Sequence, residues 1–200
     1  MDRGENPQNS SPRQFISRGG KKLHAALDAF GLDVTGWVCA DFGANVGGFT
    51  DCLLRAGAGK VFAVDTGYGE LAWKLRKDER VVVMERTNAL YCDPPDQAID
   101  MVVIDVAFTP QRLIIPAAAR WLKTGGSIVS LLKPHYELAK TPDTGGNTFA
   151  GKPLDFTRAS DICSRTCRQL DEMGFPVLSV MVSPLRGKGG NVEFFIHLKH

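Results

Sequence analysis

A chain of 200 residues, 44% hydrophobic and 23% charged, can bury one good core but hardly two. That composition excludes a disordered, collagenous or disulfide-scaffold protein. Net charge is +2, from 24 basic and 22 acidic side chains, so a nucleic-acid surface would have to come from local clustering.

The first 14 residues are polar and lack a signal-peptide apolar core, so residues 1–14 read as a disordered tail and 15–200 as one domain. No run of about 18 apolar residues exists, which predicts no membrane span. The five cysteines follow no zinc spacing, nor do the four histidines. Most of the cysteines read as small buried hydrophobes in a reducing, cytoplasmic compartment.

In chain order, Leu23, Ala26, Leu27 and Phe30 recur at helical spacing, with Ser17 to cap the helix and Gly31 to stop it. Trp37 to Phe42 is a short apolar run ending in an acid and glycines, followed by a helix carrying Phe49, Leu53 and Leu54. Lys60 to Asp65 is a second run, and Leu71, Ala72 and Leu75 give a short helix. Val81 to Met84 and Met101 to Asp105 are further strands. Residues from Gln111 to Leu122 form a helix with Leu113, Ala117 and Trp121 on one side, and Ser127 to Lys133 is a strand closed by Pro134. Lys140 to Pro153 reads as a loop. A long helix then aligns Phe156, Ala159, Ile162, Cys163, Thr166 and Leu170. Val177 to Val182 and Val192 to Leu198 flank a glycine-rich link, a hairpin signal.

Near-continuous apolar strands alternating with helices predict an α/β fold: a mostly parallel, seven-stranded, Rossmann-like sheet with helices on both faces. The hairpin makes the last strand antiparallel. Ligands of such sheets bind at the carboxyl ends of the strands. Asp41 and Gly43, Asp65, Asp105 and Lys133 all fall on that edge, and Glu193 joins them from the start of the last strand. A carboxylate or an amine ending an apolar strand is either paired or functional, so an Asp105–Lys133 ion pair and a catalytic role are both open.

The turn Asp41-Phe-Gly-Ala-Asn-Val-Gly-Gly-Phe-Thr50 looks like the first motif of methyltransferases. Its glycines let backbone approach a ligand and start the next helix tightly. Asn45 stands where a dinucleotide fingerprint needs its second glycine, which counts against a nicotinamide enzyme. Asp65 suits ribose hydroxyls, or caps the turn before Gly67. Basic residues cluster at Arg13, Arg18, Lys21 and Lys22 and again at Arg186 and Lys188. If the hairpin opens on the ligand edge, both groups flank one site and can hold phosphates.

With these residues in hand, the chain resembles the TlyA-type family, known as ribosomal RNA 2′-O-methyltransferases and as hemolysins. The resemblance rests on Ser17-Arg-Gly-Gly-Lys-Lys-Leu23, Asp41 to Leu53, Ala63 to Leu75, Glu85-Arg-Thr-Asn88, Val103-Ile-Asp-Val106, Leu132-Lys-Pro134 and Gly190-Asn-Val-Glu-Phe194. It implies the Lys-Asp-Lys-Glu tetrad of FtsJ-like ribose methyltransferases at Lys22, Asp105, Lys133 and Glu193, and S-adenosylmethionine as cofactor. Asp41, Gly43, Ala44, Asn45, Gly47, Gly48, Phe49, Asp65, Asn88 and Asp105 are the expected cofactor residues. Arg18, Lys21, Arg186 and Lys188 are the expected RNA contacts, with ribosomal RNA or subunits as partner and no metal needed. Lys133 is the candidate base. The family usually carries a small N-terminal RNA-binding domain that this chain is expected to lack, and Ala107 replaces its common Ser. The alternatives are a non-catalytic RNA- or ribosome-binding module and a lytic protein.

Overall fold

A computed structural model describes residues 14–138 and 153–200. Its sheet has seven strands: β1 (Val38–Phe42), β2 (Lys60–Val64), β3 (Val81–Met84), β4 (Ile99–Ile104), β5 (Leu122–Leu132), β6 (Val177–Val182) and β7 (Phe194–Lys199). Their order is β3-β2-β1-β4-β5-β7-β6. β1 to β5 pair in parallel, and β7 runs antiparallel to both β5 and β6. The expected doubly covered sheet and reversed last strand are both present.

Alternation along the strands sends side chains to two apolar layers. Cys39, Val61, Met101, Val129 and Phe195 face α1 (Arg18–Phe30), α2 (Gly48–Arg55) and α3 (Trp73–Arg76). Ala40, Phe62, Val102, Ile128 and Ile196 face α4 (Gln111–Ala119), α5 (Pro134–Leu138) and α6 (Phe156–Glu172). No helix among the described residues is long and apolar enough to cross a membrane.

Several expectations shift in detail. In α4, Leu113 is exposed, and the buried face is Ile114, Ile115, Ala117 and Ala118; Trp121 is buried just beyond the helix end. Phe156 is likewise exposed at the start of α6, while the other five aligned residues are buried. β5 begins five residues earlier than expected, at Leu122. Gln14, the last residue of the expected tail, is already docked: its carbonyl accepts from Arg55 Nη2 at 3.0 Å. Residues 1–13, with Arg13, and 139–152, which take in all of the expected loop but Pro153, lie outside the described residues.

α1 is capped as its sequence suggests. Ser17 accepts from the Gly19 N–H, and Gly31 ends the helix at φ 64°. What the sequence reading missed is why glycines open both α1 and α2. A Cβ on Gly48 would stand 2.1 Å from Ser17 Oγ and 3.3 Å from Gly19 Cα, and one on Gly20 would strike Phe15 at 2.6 Å. The two helix starts cross nearly backbone to backbone, and that crossing sets Lys22 over the sheet edge.

Candidate active site

Two adjoining cavities open at the carboxyl ends of the parallel strands, where the fold predicts a ligand. The first, of about 590 Å³, is lined by Arg18 and Lys22 of α1, the glycine turn, Asp105, Lys133 and Arg186. The second, of about 330 Å³, is lined by Asp65, Asn88, Val106 and Phe108 among others. Gly43, Asn45, Asp105 and Ala107 belong to both, so the two form one elongated cleft.

Two ion pairs occupy the first half. Lys133 Nζ lies 2.7 Å from Asp105 Oδ1 and donates to the Val106 carbonyl at 3.1 Å. Lys22 Nζ lies 2.5 Å from Glu193 Oε2, with side-chain exposures of only 11% and 4%. The four residues are therefore two pairs, one from neighbouring strand ends and one joining α1 to the entrance of β7. Glu193 does not line the cavity itself; it holds Lys22, which does. It is gripped by its own hairpin: a Cβ on Gly187 would fall 2.0 Å from Glu193 Oε1, and the Glu193 carbonyl accepts from the Ser183 N–H at 2.8 Å. The sequence signal for Gly187 was only a glycine-rich link.

The glycine turn is shaped from beneath. Gly43 has φ 88°, and a Cβ there would meet the Asp105 carbonyl oxygen at 2.7 Å, so only glycine lets the ends of β1 and β4 approach this closely. Ala44, Gly48 and Phe49 line the first cavity. Asp65 accepts from the Asn45 N–H at 2.8 Å and the Gly67 N–H at 2.7 Å, one bond per oxygen. It thus caps its turn and still faces the second cavity, since a carboxylate has about four acceptor positions. Asn88 lines the same cavity and accepts from the Leu90 N–H at 3.0 Å.

Besides Glu193, three expected site residues lie off the cleft. Gly47 packs against Leu75 and Leu71, where a Cβ would come within 2.1 Å of Leu75. Lys21 is exposed on α1 and lines neither cavity. Asp41 is fully buried under the turn, where Oδ2 accepts from Thr50 N at 2.9 Å and Thr50 Oγ1 at 2.7 Å, and Oδ1 has no partner among the described residues. Among the RNA candidates, Arg18 and Arg186 line the first cavity and Arg18 Nη2 donates to the Arg186 carbonyl at 2.7 Å. The Lys188 side chain lies outside the described residues.

Burial pushes the Asp41 carboxyl up to about 7, against the two Thr50 bonds, and Asp105 and Asp65 add repulsion. Because the folded value exceeds the ordinary 3.8, the folded chain holds the extra proton between them. Stability from this group is greatest at low pH and falls as pH rises towards 7. Asp41→Asn keeps an acceptor for Thr50 and removes the buried charge. Its stability relative to wild type should therefore rise by on the order of 2 kcal/mol between about pH 5 and pH 8, read from denaturant melts. A difference that does not change with pH would show that Asp41 is not ionising there.

The FtsJ-like methyltransferase profile matches residues 15–200. The chain belongs to the FtsJ-like methyltransferase family. It is 41% identical over 191 residues to the 16S/23S rRNA (cytidine-2′-O)-methyltransferase TlyA of Mycobacterium tuberculosis, covering 94% of this chain and 70% of that one. A solved structure from Lactococcus lactis that carries a hemolysin label superposes with a TM-score of 0.83 at 36% identity, covering 94% of this chain and 89% of that chain. Fibrillarin of Aeropyrum pernix, solved with bound S-adenosylmethionine, shares the fold alone, with a TM-score of 0.60 at 14% identity over 90% of this methyltransferase and 75% of that chain.

The cofactor of this methyltransferase is S-adenosylmethionine, and groups that would suit it line the cleft. Gly43 brings bare backbone to the junction of both cavities. At one end Asp65 keeps acceptor positions of the kind ribose hydroxyls would take, and Asp105 puts a carboxylate where the two cavities join.

Proposed function

We propose that the protein transfers a methyl group from S-adenosylmethionine to a ribose 2′-hydroxyl of ribosomal RNA. The observation that carries this reading is the placement of Lys22, Asp105 and Lys133 on one cavity, with Glu193 on Lys22, directly beside the glycine turn. The 41% identity to a named rRNA (cytidine-2′-O)-methyltransferase supports the choice of substrate.

The bound cofactor supplies a methyl group already activated by a sulfonium charge. What remains for the protein is alignment and removal of one proton. Lys133, once its amine has given one proton to solvent, takes the proton of the 2′-hydroxyl, and Asp105 and the Val106 carbonyl hold that amine in place. Lys22, steadied by Glu193, presents a second cation to the oxygen as it gains negative charge. Asp65 and Asn88 hold the nucleoside half of the cofactor. Arg18, Lys21 and Arg186 meet RNA phosphates. Arg18 uses one of its five N–H donors on the Arg186 carbonyl, which leaves donors for phosphate.

The test is to incubate the protein with methyl-labelled cofactor and deproteinised ribosomal RNA, intact ribosomal subunits or tRNA, and to map 2′-O-methyl groups. Label on a ribose of ribosomal RNA is the expected result. Subunits are included because naked RNA need not present the target shape. Cofactor binding with no transfer to any of the three substrates would favour a non-catalytic RNA-binding module instead.

A further inference from the structure

α4 starts without a cap of its own. Its N-cap position is Pro110, whose side chain accepts nothing. The first helical N–H, that of Gln111, donates instead to Glu137 Oε1 at 2.9 Å. Glu137 sits on α5, 26 residues further along the chain. The Gln111 side chain continues the chain of bonds inward, its Oε1 accepting from Ser130 Oγ at 2.7 Å. Ser130 is fully buried on β5 and pairs in register with Ile104, the residue before Asp105.

The segment between β4 and α4 carries Asp105, Ala107 and Phe108, all on the cleft. It is not a relaxed loop: Phe108 stands at φ 59°, a left-handed conformation that costs a bulky residue energy. Such a segment keeps its shape only if its ends are held. Its far end is held by α5 through two contacts besides Lys133: the Phe108 and Tyr136 rings at 4.7 Å, and the Glu137–Gln111 bond. Lys133 immediately precedes α5. So the element that aims Lys133 is bonded to the segment that aims Asp105.

We propose that Glu137 is a positioning residue for methyl transfer, capping α4 across the fold and thereby locking the Asp105 segment against the Lys133 corner. This inference rests on the proposed reading of the Asp105–Lys133 pair. Burial pushes the Glu137 carboxyl up to about 7, with the Gln111 N–H and Arg112 pulling it down. Either protonation state keeps an oxygen for the helix amide, so the cap needs an acceptor and not a charge.

That requirement separates the role from a simple ion pair. Glu137→Ala removes the acceptor, Glu137→Gln keeps it, and Glu137→Asp draws it back by one methylene. The experiment measures methyl transfer to ribosomal RNA or intact subunits under saturating labelled cofactor, with cofactor binding by calorimetry. Glu137→Ala should lower kcat by about 10- to 100-fold, as a small misplacement of reacting groups does, with cofactor Kd and RNA KM nearly unchanged. Glu137→Gln should return most of the lost kcat. If the Ala variant does not fold, Glu137→Asp should show the same loss in kcat with cofactor binding intact. Wild-type kcat in the Ala variant, or in the Asp variant where the Ala variant does not fold, would overturn the inference. So would a loss seen only in KM or cofactor Kd, or one that Gln does not restore. Absence of transfer by the wild-type protein would instead sink the proposed function.

Discussion

Lys133→Ala should bind S-adenosylmethionine as the wild type does and lose methyl transfer by about 10²- to 10⁴-fold, the range for a general base. The amine lies between Asp105 and the Val106 carbonyl, with its side chain 13% exposed. Removing it leaves Asp105, whose side chain is 28% exposed, within reach of water. The fold should therefore survive, and the second cavity with Asp65 and Asn88 is not touched by the change. Lys133→Arg sharpens the test. Arginine keeps the positive charge beside Asp105 but does not give up its proton in proteins, so it cannot act as a base. Both variants should be inactive in single-turnover transfer and normal in calorimetric cofactor binding. An active Arg variant would reassign Lys133 to charge stabilisation, and an active Ala variant would remove it from the chemistry.

Glu193→Ala should destabilise the protein by about 3–5 kcal/mol, because it leaves Lys22 buried without its partner. For a domain of this size that lowers Tm by roughly 10 °C. The complementary double substitution, Lys22→Met with Glu193→Leu, replaces two buried charges by apolar groups of similar volume. It should recover most of the lost stability, or exceed wild type, since a buried pair repays its desolvation poorly. It should also remain inactive. Stability without activity is the signature of a pair retained for catalysis, and thermal melts beside transfer assays read both. A fully active double variant would mean that Lys22 and Glu193 only hold α1 to the hairpin.

Much of the site was legible because it is written in strand ends. An apolar run that stops at Asp65, Asp105 or Lys133 marks both a strand and the edge where a parallel sheet binds ligands. α1 was legible in the spacing of Leu23, Ala26 and Leu27 and in its Ser17 and Gly31 caps. Lys22 and Glu193 were different. Position put Glu193 at the start of the last strand, on the ligand edge, and only the family resemblance joined it to Lys22. The structure puts those two side chains 2.5 Å apart, although 171 residues separate them in the chain.

The glycines show where local reading ends. Gly43, Gly47 and Gly48 look alike as a ligand-binding turn, yet each lacks a side chain for a different neighbour: the Asp105 backbone, Leu71 and Leu75, and the start of α1. Asp41 looks like Asp65 as an acid at a strand end, but it is sealed beneath the turn while Asp65 faces the cleft. Glu137 carried no signal, since its partner is a backbone amide on another helix.

The sequence by itself determined the order of the strands and of every helix but the short α5, the edge where the site forms and the residue types gathered there. These follow from periodicity and from the cost of ending a buried strand on a charge, both properties of near neighbours in the chain. The tertiary structure decided which charge faces which, which glycine makes room for what, and which carboxylate meets the cleft. Those depend on how distant elements cross, and burial gives a polar atom no choice of partner except the one that crossing brings to it.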